Sequence, residues 1–198
     1  MPHSPYPEVT LVRHAETAWS ASGIHTGHID ISLTQSGERS CPALGHHLQL
    51  RPFSEIWSSP SQRAMHTYAL SGFDTKDIVL REDLEEWDYG IYEGLTTAQI
   101  HIQRPGWQLF RDGCPEGETV RDVGKRADAI IKQLRETTNI VLFSSGHFLR
   151  VLAARWIGLS AEHGEQFVLD TASISVLGYE HNLDEPVIRR WNQQFVAS

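Results

Sequence analysis

The sequence has little of three features that mark other classes of protein: cysteine, basic charge and long apolar runs. Its 198 residues include 2 cysteines, Cys41 and Cys114, which are isolated and match no disulfide framework or zinc spacing. Its 17 Lys+Arg against 25 Asp+Glu give a formal charge of −8, which argues against nucleic-acid or anionic-membrane partners. No stretch approaches the ~20 apolar residues that cross a bilayer. Since the N-terminus also lacks the pattern of a signal peptide, we expect a cytoplasmic protein.

The composition is otherwise typical of a soluble globular protein, with 40% hydrophobic and 21% charged residues. We find no repeat, linker or low-complexity tract, so a single domain over 1–198 is predicted. The 11 histidines stand out, but no His-x-x-x-His or Glu-x-x-His spacing on a clear helix indicates a metal site. We therefore expect no metal and no cofactor. Any anionic ligand must be held by a local cluster of positive groups.

Short β-branched and apolar runs alternate with helical patterns along the chain. This alternation predicts an α/β fold, a three-layer sandwich with a mostly parallel central sheet and helices on both faces. Residues 82–117 carry much of the Gly, Trp and Pro, which predicts an irregular insertion with short helices. Strands are predicted at 9–12, 53–59, 78–80, 140–143, 174–177 and 187–191. Helices are predicted from Thr34 to Leu50 and at 62–70, 120–134 and 147–157.

Polar residues follow three of the predicted strands. Arg13 and His14 come directly after the first strand, Arg63 lies where the second gives way to a helix, and 144–147 follow the fourth. Ligands of such sheets bind beyond the carboxyl ends of the strands. Each group alone is weak evidence, because a lone arginine is usually a surface residue and a lone histidine usually belongs to the core. Their convergence predicts an anion site at this edge.

Four sequence blocks, taken together, resemble the histidine phosphatase superfamily, which also contains the phosphoglycerate mutases. The blocks are Arg-His-Ala-Glu-Thr at 13–17, the segment 59–63, the segment 84–94 and Gly-His-Phe-Leu-Arg at 146–150. They occur in the family's order and span most of the chain from 9 to about 177. Segments 19–20, 25–27, 33–34 and 86–90 are similar to the branch of sugar-phosphate phosphatases that includes sedoheptulose-1,7-bisphosphatase.

The resemblance implies a phosphohistidine mechanism acting on a small phosphorylated metabolite such as a sugar phosphate. His14 matches the nucleophile, and Arg13 and Arg63 match the arginines that clamp the phosphoryl oxygens. Glu86 matches the proton donor, with its neighbour Glu85 as the alternative. Further family positions that face the phosphate or the substrate are Ser20, Thr26, Gly27 and Gly146. The partner is then a small-molecule substrate, and a homodimer is left open.

Ser145 departs from the family pattern, because a second histidine normally precedes the glycine of the fourth block. Loss of one preorganised donor typically costs on the order of 10²–10³ in rate. Two explanations compete: an engineered inactivating replacement in an enzyme, or a natural serine in a weak enzyme or a phosphosugar-binding pseudoenzyme. His147 is not expected to take over the role, because residues i and i+2 of a helix do not share a face. Activity in this chain is expected to be low or lost.

A phosphoglycerate mutase is the nearest alternative enzyme. Mutases must exclude water from the phosphoenzyme, and the segment between Glu93 and Glu118 that would cover the site is short, which favours a hydrolase. The substrate is less well indicated by the residues. Five aromatic residues at 87, 89, 92, 107 and 110 either stack on a sugar or form a local core. Arg104 and Arg111 either reach a second phosphate or lie at the surface. His25 and His28 either line the substrate entrance or are solvent-exposed loop histidines, and we expect the second.

Overall fold

The computed structural model describes residues 6–72 and 78–195, and its framework is one six-stranded sheet. The strands are β1 (Val9–Arg13), β2 (Glu55–Ser58), β3 (Ile78–Leu80), β4 (Ile140–Ser144), β5 (Ser173–Tyr179) and β6 (Pro186–Gln194). Their order across the sheet is β3-β2-β4-β1-β5-β6. The pairs of β1, β2, β3 and β4 are parallel, whereas β5 runs antiparallel to both of its neighbours. The predicted mostly parallel sheet is confirmed.

Helices cover both faces of this sheet. They are α1 (Ala18–Ala21), α2 (Gln35–Gln49), α3 (Gln62–Leu70), α4 (Thr97–Gln103), α5 (Leu109–Asp112), α6 (Val120–Leu134) and α7 (Gly146–Trp156). Successive side chains of a strand point to opposite faces. In β4, Ile140 and Leu142 therefore join the core formed with α6 and α7, while Val141 and Phe143 join the core formed with α2 and α3. The three-layer arrangement predicted from the sequence is confirmed.

The helix starts follow the capping residues seen in the sequence. Thr34 precedes α2 and accepts a hydrogen bond from Gly37 N, and Thr119 forms a capping box with Asp122 before α6. The apolar face of α2 is shorter than expected, since Leu50 lies beyond the last turn and is 67% exposed. Gly45 of α2 lies directly against the end of α3. A Cβ atom at this position would be 1.7 Å from the backbone oxygen of Ser71, which caps α3.

Residues 82–117 form two short 3-10 helices, Glu82–Leu84 and Gly90–Tyr92, followed by α4 and α5. The aromatic side chains of this segment are buried and join the core beside α6 and α7. They act as a local core, with Tyr89 alone among the five also facing a cavity. Within the described residues, no helix is long and apolar enough to cross a membrane.

The register of the two central strands sets the place of the site. Arg13 pairs with Ser144, so the ends of β1 and β4 are level. His14 and Ser145 then leave the sheet side by side, and His14 N donates to Ser144 O at 3.0 Å. The chain therefore brings its first and fourth sequence blocks together at the carboxyl edge of the sheet.

Candidate active site

A cavity of about 270 Å³ lies beyond the carboxyl ends of β1 and β4. Its lining residues are Arg13, His14, Ser20, Gly23, Ile24, His25, Thr26, Glu86, Tyr89, Thr97 and His147. Among the predicted site residues, the cavity brings together Arg13, His14, Ser20, Thr26 and Glu86. The other four predicted site residues do not line the cavity; they are Arg63, Gly27, Ser145 and Gly146.

His14 is buried and fixed at both its backbone and its ring. Ala172 N donates to its carbonyl oxygen at 3.1 Å, and its Nδ1 lies 2.8 Å from Ala15 O. Because a carbonyl oxygen can only accept, Nδ1 carries the proton and Nε2 keeps its lone pair. Burial, followed by the charges of Arg63 and Arg13, holds the pKa of His14 well below its usual range. The ring is therefore a neutral imidazole with a free Nε2 at pH 7.

Arg13 presents an unsatisfied donor beside this ring. One of its terminal nitrogens donates to Leu169 O, while its buried Nε has no hydrogen-bond partner among the described residues. The guanidinium lies against Gly146, where an added Cβ would be 3.1 Å from both Nε and Cζ. Burial lowers the pKa of Arg13 from its usual value, but an arginine remains charged in proteins. Because Arg13 and His14 line the same cavity, the guanidinium places a positive charge where an oxyanion near His14 would lie.

Arg63, in the first turn of α3, is buried and directed mainly at a neighbouring loop. Its guanidinium donates to the carbonyl oxygens of Thr26 and Gly27, at 3.3 and 2.9 Å, and to that of Ile29 at 3.3 Å. Its Nε donates to Ser145 Oγ at 3.4 Å. Arg63 therefore shapes the loop that carries Thr26, and its charge acts on His14 from behind the cavity wall.

Glu86 projects its carboxylate into the cavity from the irregular segment. Its Oε1 accepts from Trp87 N at 2.9 Å and from Phe148 N at 2.8 Å, and its Oε2 accepts from His147 N at 3.0 Å. Two of these donors, the N–H groups of His147 and Phe148, belong to the first turn of α7, so they bind Glu86 and are not left for a ligand. Glu85 lies elsewhere, 3.4 Å from the exposed His28. The geometry thus separates the two neighbouring carboxylates.

Of the three predicted loop residues, Ser20 and Thr26 line the cavity and Gly27 does not, and their polar groups bind other parts of the loop. Ser20 closes a capping box with Thr17 at the start of α1, and Thr26 Oγ1 donates to Ile24 O at 3.2 Å. Both side chains line the cavity. Gly27 N donates to Glu93 Oε1 at 2.7 Å, so this amide supports the loop.

Ser145 stands at the N-cap of α7, fully buried and without a side-chain cap. Its hydroxyl contacts Arg63 and does not line the cavity. Two residues later His147 does line it, although helix geometry did not suggest a shared direction. Tyr89 OH lies 2.6 Å from His147 Nδ1, and burial is the main cause that keeps the pKa of His147 well below its usual range.

His25 is the main correction to the expected exposures. It is 9% exposed and lines the cavity, so the favoured prediction of a solvent-exposed loop histidine is wrong and the alternative, a residue lining the substrate entrance, agrees with the structure. Its Nε2 lies 3.2 Å from Thr97 Oγ1, and burial lowers its pKa to about 4. Thr97 and His147 had no assigned role in the sequence. The one available signal was that His147 follows the glycine of the fourth block.

The same fold occurs in known proteins. Residues 9–194 match the histidine phosphatase superfamily (branch 1), so the chain belongs to this superfamily. It is 38% identical over 178 residues to an acid phosphatase of Mycobacterium tuberculosis, with 87% of each chain covered. It is 30% identical to the sedoheptulose 1,7-bisphosphatase of Saccharomyces cerevisiae, covering 92% of this chain and 91% of the other. The solved structure of an open reading frame product from Mycobacterium tuberculosis superimposes with a TM-score of 0.89 at 36% identity, covering 95% of this chain and 98% of that one.

Proposed function

We propose that the chain is a phosphomonoester hydrolase that acts on a small phosphorylated metabolite of the sugar-phosphate type through a phosphohistidine at His14. The observation that carries the proposal is the contact of 2.8 Å between His14 Nδ1 and Ala15 O. It fixes the tautomer that leaves Nε2 free to attack phosphorus. The relatives named acid phosphatase and sedoheptulose 1,7-bisphosphatase support the same reaction class and substrate type.

The first half-reaction forms a bond between His14 Nε2 and phosphorus while the ester bond to the metabolite breaks. The Arg13 guanidinium, which lines the cavity, donates to a phosphoryl oxygen, and the charge of Arg63 balances the phosphate from behind the wall. Glu86 in its protonated form gives the proton to the leaving oxygen. In the second half-reaction the Glu86 carboxylate takes a proton from water, the water oxygen attacks phosphorus, and inorganic phosphate leaves His14.

Phosphate release from a panel of sugar monophosphates tests this function. We expect release without any added bisphosphate, and we expect it to be lost in His14→Ala. Glu86→Gln removes the proton donor but keeps the shape of the side chain, so it should slow turnover on the order of 10²–10⁴-fold. Transfer of phosphate between two hydroxyls of the metabolite, with no release, would instead support a phosphoglycerate mutase.

We further propose that Ser145 lowers the rate of this chain. The serine hydroxyl is buried against Arg63 and offers the phosphoryl group no donor of the kind an imidazole supplies. Ser145→His should therefore raise kcat on the order of 10²–10³-fold. Ser145→Ala is the matched control and should leave kcat within about threefold of the parent. If Ser145→His brings no gain while sugar phosphates still bind, the chain is a phosphosugar-binding protein.

A further inference from the structure

The cavity has a second set of lining side chains that the reaction steps above do not use. It is formed by Tyr89, His147, His25 and Thr97, and all four side chains line the cavity. Tyr89 and His25 have ring centroids 4.8 Å apart, and those of His25 and His147 are 6.0 Å apart. The four residues therefore form one continuous polar surface, which we call the neutral wall.

Hydrogen bonding fixes the direction of the donors in this wall. Tyr89 is 1% exposed, so its buried hydroxyl needs an acceptor, and His147 Nδ1 lies 2.6 Å away. The phenol therefore donates to Nδ1, and the proton of the neutral imidazole sits on Nε2. Nε2 has no hydrogen-bond partner among the described residues, and 26% of the His147 side chain is exposed. The neutral wall thus offers one fixed N–H donor to a ligand.

The position of this donor relates it to the leaving group. His147 N binds Glu86 Oε2 at 3.0 Å, and His147 Nδ1 lies 3.9 Å from the same oxygen. In the proposed reaction Glu86 protonates the leaving oxygen of the substrate. A group that contacts His147 is therefore attached close to that oxygen and belongs to the metabolite rather than to the phosphate.

The wall is uncharged at pH 7. Burial lowers the pKa of His25 to about 4 and holds that of His147 well below its usual range. Among the described residues that line the cavity, Arg13 carries the one permanent positive charge.

Arg104 and Arg111, which we considered for a second phosphate, and Arg150 of the fourth sequence block are all engaged by other groups. Arg104 and Arg111 both pair with Asp112, at 3.7 and 2.7 Å. Arg150 donates from Nε and from a terminal nitrogen to the carbonyl oxygens of Gly164 and Glu165, both at 2.9 Å, and its guanidinium lies 4.7 Å from the ring centre of Phe110. None of the three lines the cavity, although the charge of Arg150 is, after burial, the next cause of the lowered pKa of His147.

Further acidic side chains lie outside the cavity, near Glu86 in the chain. Glu86 is flanked in the chain by Glu85 and Asp88, which both contact the exposed His28. Glu93 lies next to this region and accepts from Gly27 N and Ile29 N, each at 2.7 Å. Within the cavity a second phosphate would therefore meet the Glu86 carboxylate and uncharged groups, since Arg13 is the one permanent cation among the described lining residues.

We propose that His147, oriented by Tyr89, is a specificity-determining residue whose Nε2–H donates to a hydroxyl oxygen of the metabolite. The substrate class is then monophosphates of uncharged, polyhydroxylated compounds, with bisphosphates excluded. This inference rests on the proposed function, because it takes the phosphoryl group to lie at His14. It narrows the substrate further than the relatives do, since one of them is named for a bisphosphate.

Binding affinity tests the proposal independently of turnover. Isothermal titration of the chain with fructose 6-phosphate and fructose 1,6-bisphosphate compares two ligands that differ by one phosphate. We expect fructose 6-phosphate to bind at least about tenfold more tightly. Equal or tighter binding of the bisphosphate would overturn the proposal, whereas the proposed function would survive if His14 is still phosphorylated.

Two substitutions at His147 separate recognition from structure. His147→Phe keeps a ring but removes the donor, and His147→Gln keeps an N–H near the position of Nε2. We compare the ratio of kcat/KM for fructose 6-phosphate to kcat/KM for 4-nitrophenyl phosphate, which has no hydroxyl. In His147→Phe this ratio should fall about tenfold or more. His147→Gln should restore at least part of this ratio. The control His46→Phe lies on α2, in the helix layer on the opposite face of the sheet, and should not change the ratio.

These kinetic ratios are measured with Ser145→His present in every variant, so that turnover is high enough to compare. A ratio that does not change in His147→Phe, or that His147→Gln fails to restore, would overturn the role of His147. If no variant releases phosphate or forms a phosphoenzyme, the proposed function fails, and the titrations still decide whether the neutral wall selects monophosphates.

Discussion

Ala15 N donates a hydrogen bond to Thr67 Oγ1 at 2.9 Å, which joins the residue after His14 to the middle of α3. The same hydroxyl donates to Arg63 O at 2.7 Å, and Thr67 is fully buried. Since Ala15 O also holds His14 Nδ1, this one hydroxyl positions the backbone on which the His14 tautomer depends.

Thr67→Val removes that hydroxyl with little change in shape and leaves a buried N–H without its acceptor. We expect the free energy of unfolding to fall by about 1–3 kcal/mol and the rate of His14 phosphorylation to fall by about tenfold, with KM changing less. Denaturant unfolding and rapid-quench kinetics measure the two effects. Thr67→Ser keeps the hydroxyl and serves as the control; a Thr67→Val variant as stable and fast as the parent would refute the positioning role.

Gly146 allows the Arg13 guanidinium to lie directly against the start of α7. A Cβ at this position would be 3.1 Å from Arg13 Nε and Cζ, so Gly146→Ala should push the guanidinium away from the phosphoryl site. We expect inorganic phosphate to bind roughly tenfold more weakly, as measured by titration calorimetry. Gly124→Ala is the matched control. Gly124 lies in α6, and a Cβ added there would be 3.1 Å from Ala161 Cβ, so the steric contact is equally close but does not involve Arg13. Equal weakening in both variants would point to a general loss of structure.

His25 makes the stability of the fold depend on pH. Its pKa is about 4 in the folded chain and 6.5 in the unfolded chain. As the pH falls below 6.5, His25 therefore binds a proton in the unfolded chain but stays neutral in the folded chain until the pH approaches 4. The stability that neutral His25 contributes is therefore fully present above pH 6.5. It is lost as the pH falls toward 4, which lowers the free energy of unfolding by about 3 kcal/mol. In His25→Asn, the loss of unfolding free energy between pH 7 and pH 4 should be smaller by that amount.

Denaturant unfolding at a series of pH values measures this difference. His66→Asn, at an exposed position on α3, shows the effect of removing a histidine from the surface. An unchanged slope in His25→Asn would mean that His25 already binds a proton in the folded chain near neutral pH.

Much of the fold follows from local patterns in the sequence. The run 140–143 is apolar throughout because β4 is central and covered on both faces, and Thr119 with Asp122 marks the start of α6 by capping. Leu50 shows the limit of such patterns, since periodicity does not tell where a helix ends. The exposure of Leu50 is decided by α2 ending at Gln49.

The site was predictable where a residue follows a strand end, as Arg13 and His14 do. It was not predictable where distant segments meet through side chains. His25, Tyr89 and His147 come from three separate parts of the chain, and their common wall exists because the segment 82–117 packs against α7. The direction of the Arg63 donors likewise depends on the fold of the loop at 26–29.

Rapid quench of the chain with a ³²P-labelled sugar monophosphate, followed by peptide mapping under alkaline conditions, tests the central claim most directly. The account predicts one labelled phosphoryl group per active chain on His14, faster labelling in Ser145→His, and none in His14→Ala. Phosphate release that continues in His14→Ala, or label found on any residue other than His14, would contradict it.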